Sequence, residues 1–114
     1  MIGPAHRTDH KVFRCDVACD DDVERIVLEG ELDLATVAAV QAALREPIDP
    51  GIERRVLDLR GLTFMDSTGL RTILSANRAA RREGWSLQIV AGPPAVQRIF
   101  EICGVADVLR FVDP

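Results

Sequence analysis

Ser67 stands between an acid and a small flexible pair, Asp66-Ser67-Thr68-Gly69, at what reads as the start of a helix. Two chemistries could use that hydroxyl. As a nucleophile on an elbow it would need glycines two residues to either side, but residue 65 is Met65 and only Gly69 fits. It would also need a general base, usually histidine, and both histidines, His6 and His10, fall in the N-terminal stretch outside the expected core. Hydrolysis is therefore disfavoured. The plainer reading is a cap, in which Asp66 or Ser67 accepts from the free amides of the first turn and Gly69 permits close packing. A capped helix start still leaves an exposed Ser67 open to phosphorylation, and the two readings hold together.

Beyond Ser67, Arg71, Ser75, Arg78 and Arg82 follow at steps of four, three and four, so they share one helix face. In an acidic chain this is a local positive strip, either a solvated face or a docking surface for an acidic partner. Other chemistries find no support. The single lysine, Lys11, does not follow a glycine loop, so no nucleoside-triphosphate site is indicated. The dinucleotide-binding glycine pattern is missing too. A phospho-receiver would need a late lysine beside an acceptor such as Asp58, which reads equally well as an acid hydrogen-bonded at a sheet end. Cys15 and Cys19 would stand roughly 13 Å apart along a strand, too far to share one tetrahedral metal with His6 and His10. No metal and no cofactor are expected.

The elements that must position Ser67 can be read from the pattern. Val12–Ala18 alternates as a strand, Cys19–Asp22 turns, and Val23–Glu29 returns antiparallel because the connection is short. Asp33 is a suitable cap, its carboxylate accepting from the amide of Ala35 or Thr36, for a helix whose stripe is Val37, Val40 and Leu44. Pro47 and Asp49-Pro50-Gly51 end it. Val56–Leu59 is a short buried strand. The helix after Ser67 has Leu70, Ile73, Leu74 and Asn77 on its buried side and stops at Gly84. Ser86–Val90 is the next strand. Gly92-Pro93-Pro94 opens a short helix with the stripe Val96, Ile99, Phe100 and Cys103, then Gly104 in a left-handed position, before a last strand over Val108–Val112. The order β-β-α-β-α-β-α-β predicts a single α/β domain over 12–113, a mainly parallel sheet with an antiparallel first strand and helices packed on it. Residues 1–11 read as a loose arm.

Composition bounds the function. The chain has 114 residues, 47% hydrophobic and 28% charged, with 18 acidic against 14 basic side chains and a net charge of −4. General binding to nucleic acid or anionic membrane needs the opposite balance. No apolar run approaches the roughly 18 residues of a spanning helix, and the N-terminus has no apolar leader, so a cytoplasmic protein is expected. Three cysteines cannot all pair within one chain.

At these residues the chain resembles the anti-sigma factor antagonists of the STAS domain family. Gly30-Glu31-Leu32-Asp33 with Thr36 is similar to that family's segment after the second strand, and Leu62–Leu70 to its signature around a phosphorylated serine. Pro94–Phe100 followed by Gly104 resembles its third helix and turn, so the likeness spans 12–113. The resemblance implies a bacterial partner-switching protein that is not an enzyme. Its unphosphorylated form would bind an anti-sigma factor that is also a serine kinase and free the sigma factor; phosphorylation would release it, and a serine phosphatase would reset it. It implies Ser67 as phosphoacceptor, with Asp66, Thr68, Gly69 and Asp33 around it. The partner surface would comprise Glu31, Asp33, Thr36, Met65, Ser67, Arg71, Ser75 and Arg78. Thr68 stands where a second serine is frequent, and Pro93 where a capping serine is common. Many members continue with a last helix, which leaves the covering of one sheet face open. The alternative is a STAS scaffold or sensor module that is never phosphorylated.

Overall fold

The structure, a computed structural model, describes residues 12–114; the arm expected over residues 1–11, with both histidines, lies outside the described residues. Strand β1 (Arg14–Asp20) pairs antiparallel with β2 (Val23–Leu32). Helix α1 (Val37–Arg45), β3 (Arg54–Met65), α2 (Ser67–Glu83), β4 (Ser86–Val90), α3 (Pro94–Ile102) and β5 (Phe111–Val112) follow. The strands lie in sequence order in one five-stranded sheet, and β2 to β5 run parallel. Right-handed crossovers between successive neighbours place every helix on the same face. Ile26, Leu28, Leu32, Leu57, Leu59 and Ile89 accordingly form one core with Val40 of α1, Ile73 of α2 and Phe100 of α3. The alternate residues Val56, Asp58, Gln88 and Val90 are buried on the other face, by the period-two alternation of strands.

Several boundaries differ from the expectation. The hairpin between β1 and β2 is only two residues, with Asp21 at φ +56°, so β1 continues through Cys19 and Asp20 and starts two residues late. Aspartate tolerates that left-handed backbone better than most residues. Helix α1 starts one turn after Asp33, which instead opens the turn leading into it: the Asp33 carbonyl accepts from the amides of Thr36 and Val37. Strand β3 runs six residues past Leu59 because two bulges interrupt its alternation, one between the Val27 and Glu29 pairings and one between those of Gly30 and Glu31. Each bulge adds one residue to β3, so Leu62 and Met65 point into the core although their spacing is three. At the first bulge an added Cβ on Gly61 would lie 2.7 Å from the Leu28 carbonyl oxygen.

On α2 the buried stripe is Gly69, Leu70, Thr72, Ile73, Ala76 and Ala80. Leu74 and Asn77 are only half-buried; the Asn77 amide donates to the Val108 carbonyl and ties down the chain after α3. On α3 Val96 and Phe100 are buried, Ile99 is half-buried and Cys103 is exposed, because the helix ends at Ile102 and the backbone turns through Gly104 at φ +68°. Pro93 gives α3 no side-chain cap, and Gln97 Oε1 reaches back to accept from the Gly92 amide at 2.9 Å. The last strand is two residues long, because Ala106–Val108 coils into a 3-10 turn.

Candidate functional site

Ser67 is the first residue of α2, and it is exposed. Asp66, not Ser67, caps the helix: its backbone is extended and its Oδ1 accepts from the amides of Thr68 at 2.9 Å and Gly69 at 3.2 Å. The serine hydroxyl is thereby left out of the capping geometry and faces outward. Two contacts hold this helix start against the sheet. The Asp66 amide donates to the Leu32 carbonyl at 3.2 Å, joining the ends of β2 and β3. Gly69 lies so close to those ends that an added Cβ would sit 2.8 Å from Met65 Cγ and 2.9 Å from Leu32.

The register pairs Leu32 with Met65, so Asp33 and Asp66 are the next residues at adjacent strand ends. Asp33 Oδ1 accepts from the Ala35 amide at 3.0 Å, one of the two amides expected. The Thr36 hydroxyl accepts from the Asp33 amide at 3.0 Å and donates to the Glu31 carbonyl at 2.7 Å. Thr36 thus fixes the turn from within, while Glu31 is exposed beside Phe64. Met65 corrects the expected partner surface. It is 2% exposed, beneath Gly69, and its role is packing. Thr68 is half-buried.

Arg71, Ser75 and Arg78 are all exposed on α2, and Arg78 Nη2 donates to Ser75 Oγ at 3.3 Å. Arg71 and Ser75 line a groove of about 430 Å³ between α1 and α2, which Arg78 does not. The sequence pattern missed two features here. Arg45, at the end of α1, faces the α2 cations across that groove. Leu34, 77% exposed, and Phe64, 47% exposed, put apolar surface at the same end of the sheet as Ser67. Leu34 falls off the α1 stripe, which was a readable signal; Phe64 is turned outward by a bulge, which was not.

Asp58 lies away from this end, in the middle of β3. Its carboxylate accepts from the Arg60 guanidinium at 2.8 Å and from the Arg60 amide at 3.0 Å, spanning the first bulge. The Arg60 hydrogen bonds hold its pKa below the ordinary aspartate value, against the opposing effect of burial. Among the described residues no group of three or more His, Cys, Asp or Glu side chains could hold a metal ion. No helix among them is long and apolar enough to cross a membrane.

The chain matches a family model described as "Mlab, STAS domain" over residues 15–112. An anti-sigma-B factor antagonist of Listeria monocytogenes is 33% identical over 92 residues, 80% of each chain. Solved structures share the fold. An anti-sigma factor antagonist from Mycobacterium paratuberculosis superposes with TM-score 0.79 at 22% identity, covering 90% of this chain and 87% of that one. The phosphorylated form of the Bacillus cell fate determinant SpoIIAA superposes with TM-score 0.65 at 20% identity, covering 89% and 91%.

Proposed function

The chain belongs to the STAS domain family, and from that premise we propose that it is an anti-sigma factor antagonist switched by phosphorylation of Ser67. The unphosphorylated form binds an anti-sigma factor that is also a serine kinase and so releases a sigma factor; the kinase modifies Ser67 and frees itself, and a serine phosphatase restores the hydroxyl. In this cycle the chain is a substrate rather than a catalyst, and it works in the cytoplasm. The observation that carries the reading is an exposed hydroxyl at the first position of a helix whose capping duty is met by the preceding aspartate. A match to relatives named for the same role supports it, and one protein of this fold is known in a phosphorylated form.

Phosphoserine carries about −1.5 to −2 charges at neutral pH. At a helix N-terminus the backbone dipole stabilises such a charge by about 0.3–1 kcal/mol, so the free domain tolerates it. Arg71, one turn further along α2, offsets the charge in the free chain as well. The switch therefore acts in the complex. Weakening a partner about 1,000-fold requires about 4 kcal/mol. A dianion pressed between Asp66, Asp33 and a surface shaped for a hydroxyl meets repulsion and desolvation of that order.

The test is calorimetric titration of the cognate anti-sigma factor with Ser67→Ala and Ser67→Asp, after mass spectrometry of the wild-type chain incubated with that factor and ATP. One phosphate on Ser67, tight binding by the alanine variant and weak binding by the aspartate variant are expected. Equal affinities for the two variants would refute the switch.

A further inference from the structure

The groove between α1 and α2 starts at Thr68, beside the phosphoacceptor, and follows α2 to Arg82. Arg71 and Arg82 stand on one side and Arg45 on the other, and no carboxylate lines it. None of the three forms an ion pair among the described residues, whereas Arg14, Arg55 and Arg60 each do. In a chain of net charge −4 this is a concentrated positive field with no ion-pair partner among the described residues. Between the cations the lining is mixed: Leu44, Ala76 and Ala79 are apolar, and Gln41, Thr68, Thr72 and Ser75 are polar. Gln41 reaches Thr72 Oγ1 at 3.5 Å, holding the two helices together across it.

We infer that this groove seats an acidic, amphipathic segment of a partner protein, its carboxylates on the three arginines and its apolar side on Leu44, Ala76 and Ala79. Geometry selects that occupant. Arg71 and Arg82 are eleven residues apart on one helix, about 16 Å, beyond the reach of a single phosphate or carboxylate. Carboxylates repeating at steps of four, three and four along a partner helix match that span. The apolar surface of Leu44, Ala76 and Ala79 among the cations suits side chains rather than a nucleic-acid backbone, which the acidic remainder of the chain also repels. The inference rests on the antagonist reading only for whose segment it is; Ser67 chemistry is not needed for the groove to bind.

The probe is a fluorescein-labelled helical peptide with glutamates at those steps and leucines on the adjacent stripe, titrated with the full chain by fluorescence anisotropy. Binding should weaken several-fold as NaCl rises from about 0.05 M to about 0.5 M. Arg71→Glu with Arg82→Glu should weaken it at least about tenfold, and Arg45→Glu several-fold. Arg98→Glu with Arg110→Glu, an equal charge change on exposed sites outside the groove, should leave affinity unchanged. Circular dichroism confirms that each variant is folded. Equal loss in both double variants, equal binding of a peptide with the same residues in scrambled order, or arginine-dependent binding of pyrophosphate or single-stranded DNA in place of the peptide would overturn the inference. Ser67→Ala should bind the peptide like wild type, which separates a failure of the groove from a failure of the phosphorylation switch.

Discussion

The division of labour between Asp66 and Ser67 would make the proposed switch compatible with a stable helix. The carboxylate satisfies two orphan amides, so the neighbouring hydroxyl can change chemistry without unwinding α2. Asp66→Ala removes the cap and should cost about 1 kcal/mol, lowering the melting temperature by about 4 °C or more. Ser67→Ala removes only an exposed hydroxyl and should shift stability by less than about 0.5 kcal/mol. Thermal melts followed by circular dichroism compare them; an equal loss in both would show the serine sharing the cap. Much of this was legible in the chain itself: an acid before Ser67 and a glycine two residues after announce a capped, closely packed helix start. The inward turn of Met65 and the internal bonding of Thr36 were not, because both depend on how β2 and β3 end side by side.

At the scale of elements, β3 explains most of what the pattern concealed. A period-two reading stops at Leu59, since Arg60, Gly61 and Thr63 break the alternation, yet the strand continues because each bulge resets its inward face. Asp58 braces the first bulge by holding Arg60. Its folded pKa lies below the unfolded value near 4, so the ionised carboxylate contributes stability above about pH 4 that is lost as pH falls through the folded value. Asp58→Asn should therefore flatten the decline of stability below about pH 4, measured by urea unfolding at stepped pH with Trp85 fluorescence. An unchanged pH profile would exclude Asp58 as a source of that decline. The other end of β3 is held by Arg55, 1% exposed. It pairs with Glu24 of β2 at 2.5 Å, donates to the carbonyls of Leu44 and Glu46, and lies over the Trp85 ring. Arg55→Met strands a largely buried carboxylate and two carbonyls together, and should cost about 3–5 kcal/mol. Urea unfolding reads this directly, and a loss below about 1 kcal/mol would show that the cluster reorganises. Arg55 was invisible as a core residue in the sequence, because an arginine within Glu53-Arg54-Arg55 reads as exposed strand edge.

For the whole molecule, the sequential strand order gathers the outputs of the sheet at one end. Parallel β2 and β3 finish together at Leu32 and Met65, so the turn with Asp33 and the helix with Ser67 emerge as neighbours without any long loop. The order of elements was readable because strands and helices alternate through 23–104; the side-by-side ending was implied by the family resemblance alone and not by the periodicity, since it depends on the two extra residues that the bulges insert. Such a site is built on strand and helix ends that are hydrogen-bonded to one another. Phosphorylation of Ser67 should then leave the fold nearly untouched: the helix dipole favours the phosphate by about 0.3–1 kcal/mol and Arg71 adds to this, while Asp33 and Asp66 oppose it. Stoichiometrically phosphorylated and unmodified chain should melt within about 4 °C of each other, whereas the proposed switch requires their affinities for the anti-sigma factor to differ by about 1,000-fold. Calorimetry on both forms, with amide exchange mapped along α2, makes the comparison. If the phosphorylated chain melts much lower and α2 loses protection, release proceeds through local unfolding of the helix, and the rigid-surface mechanism fails.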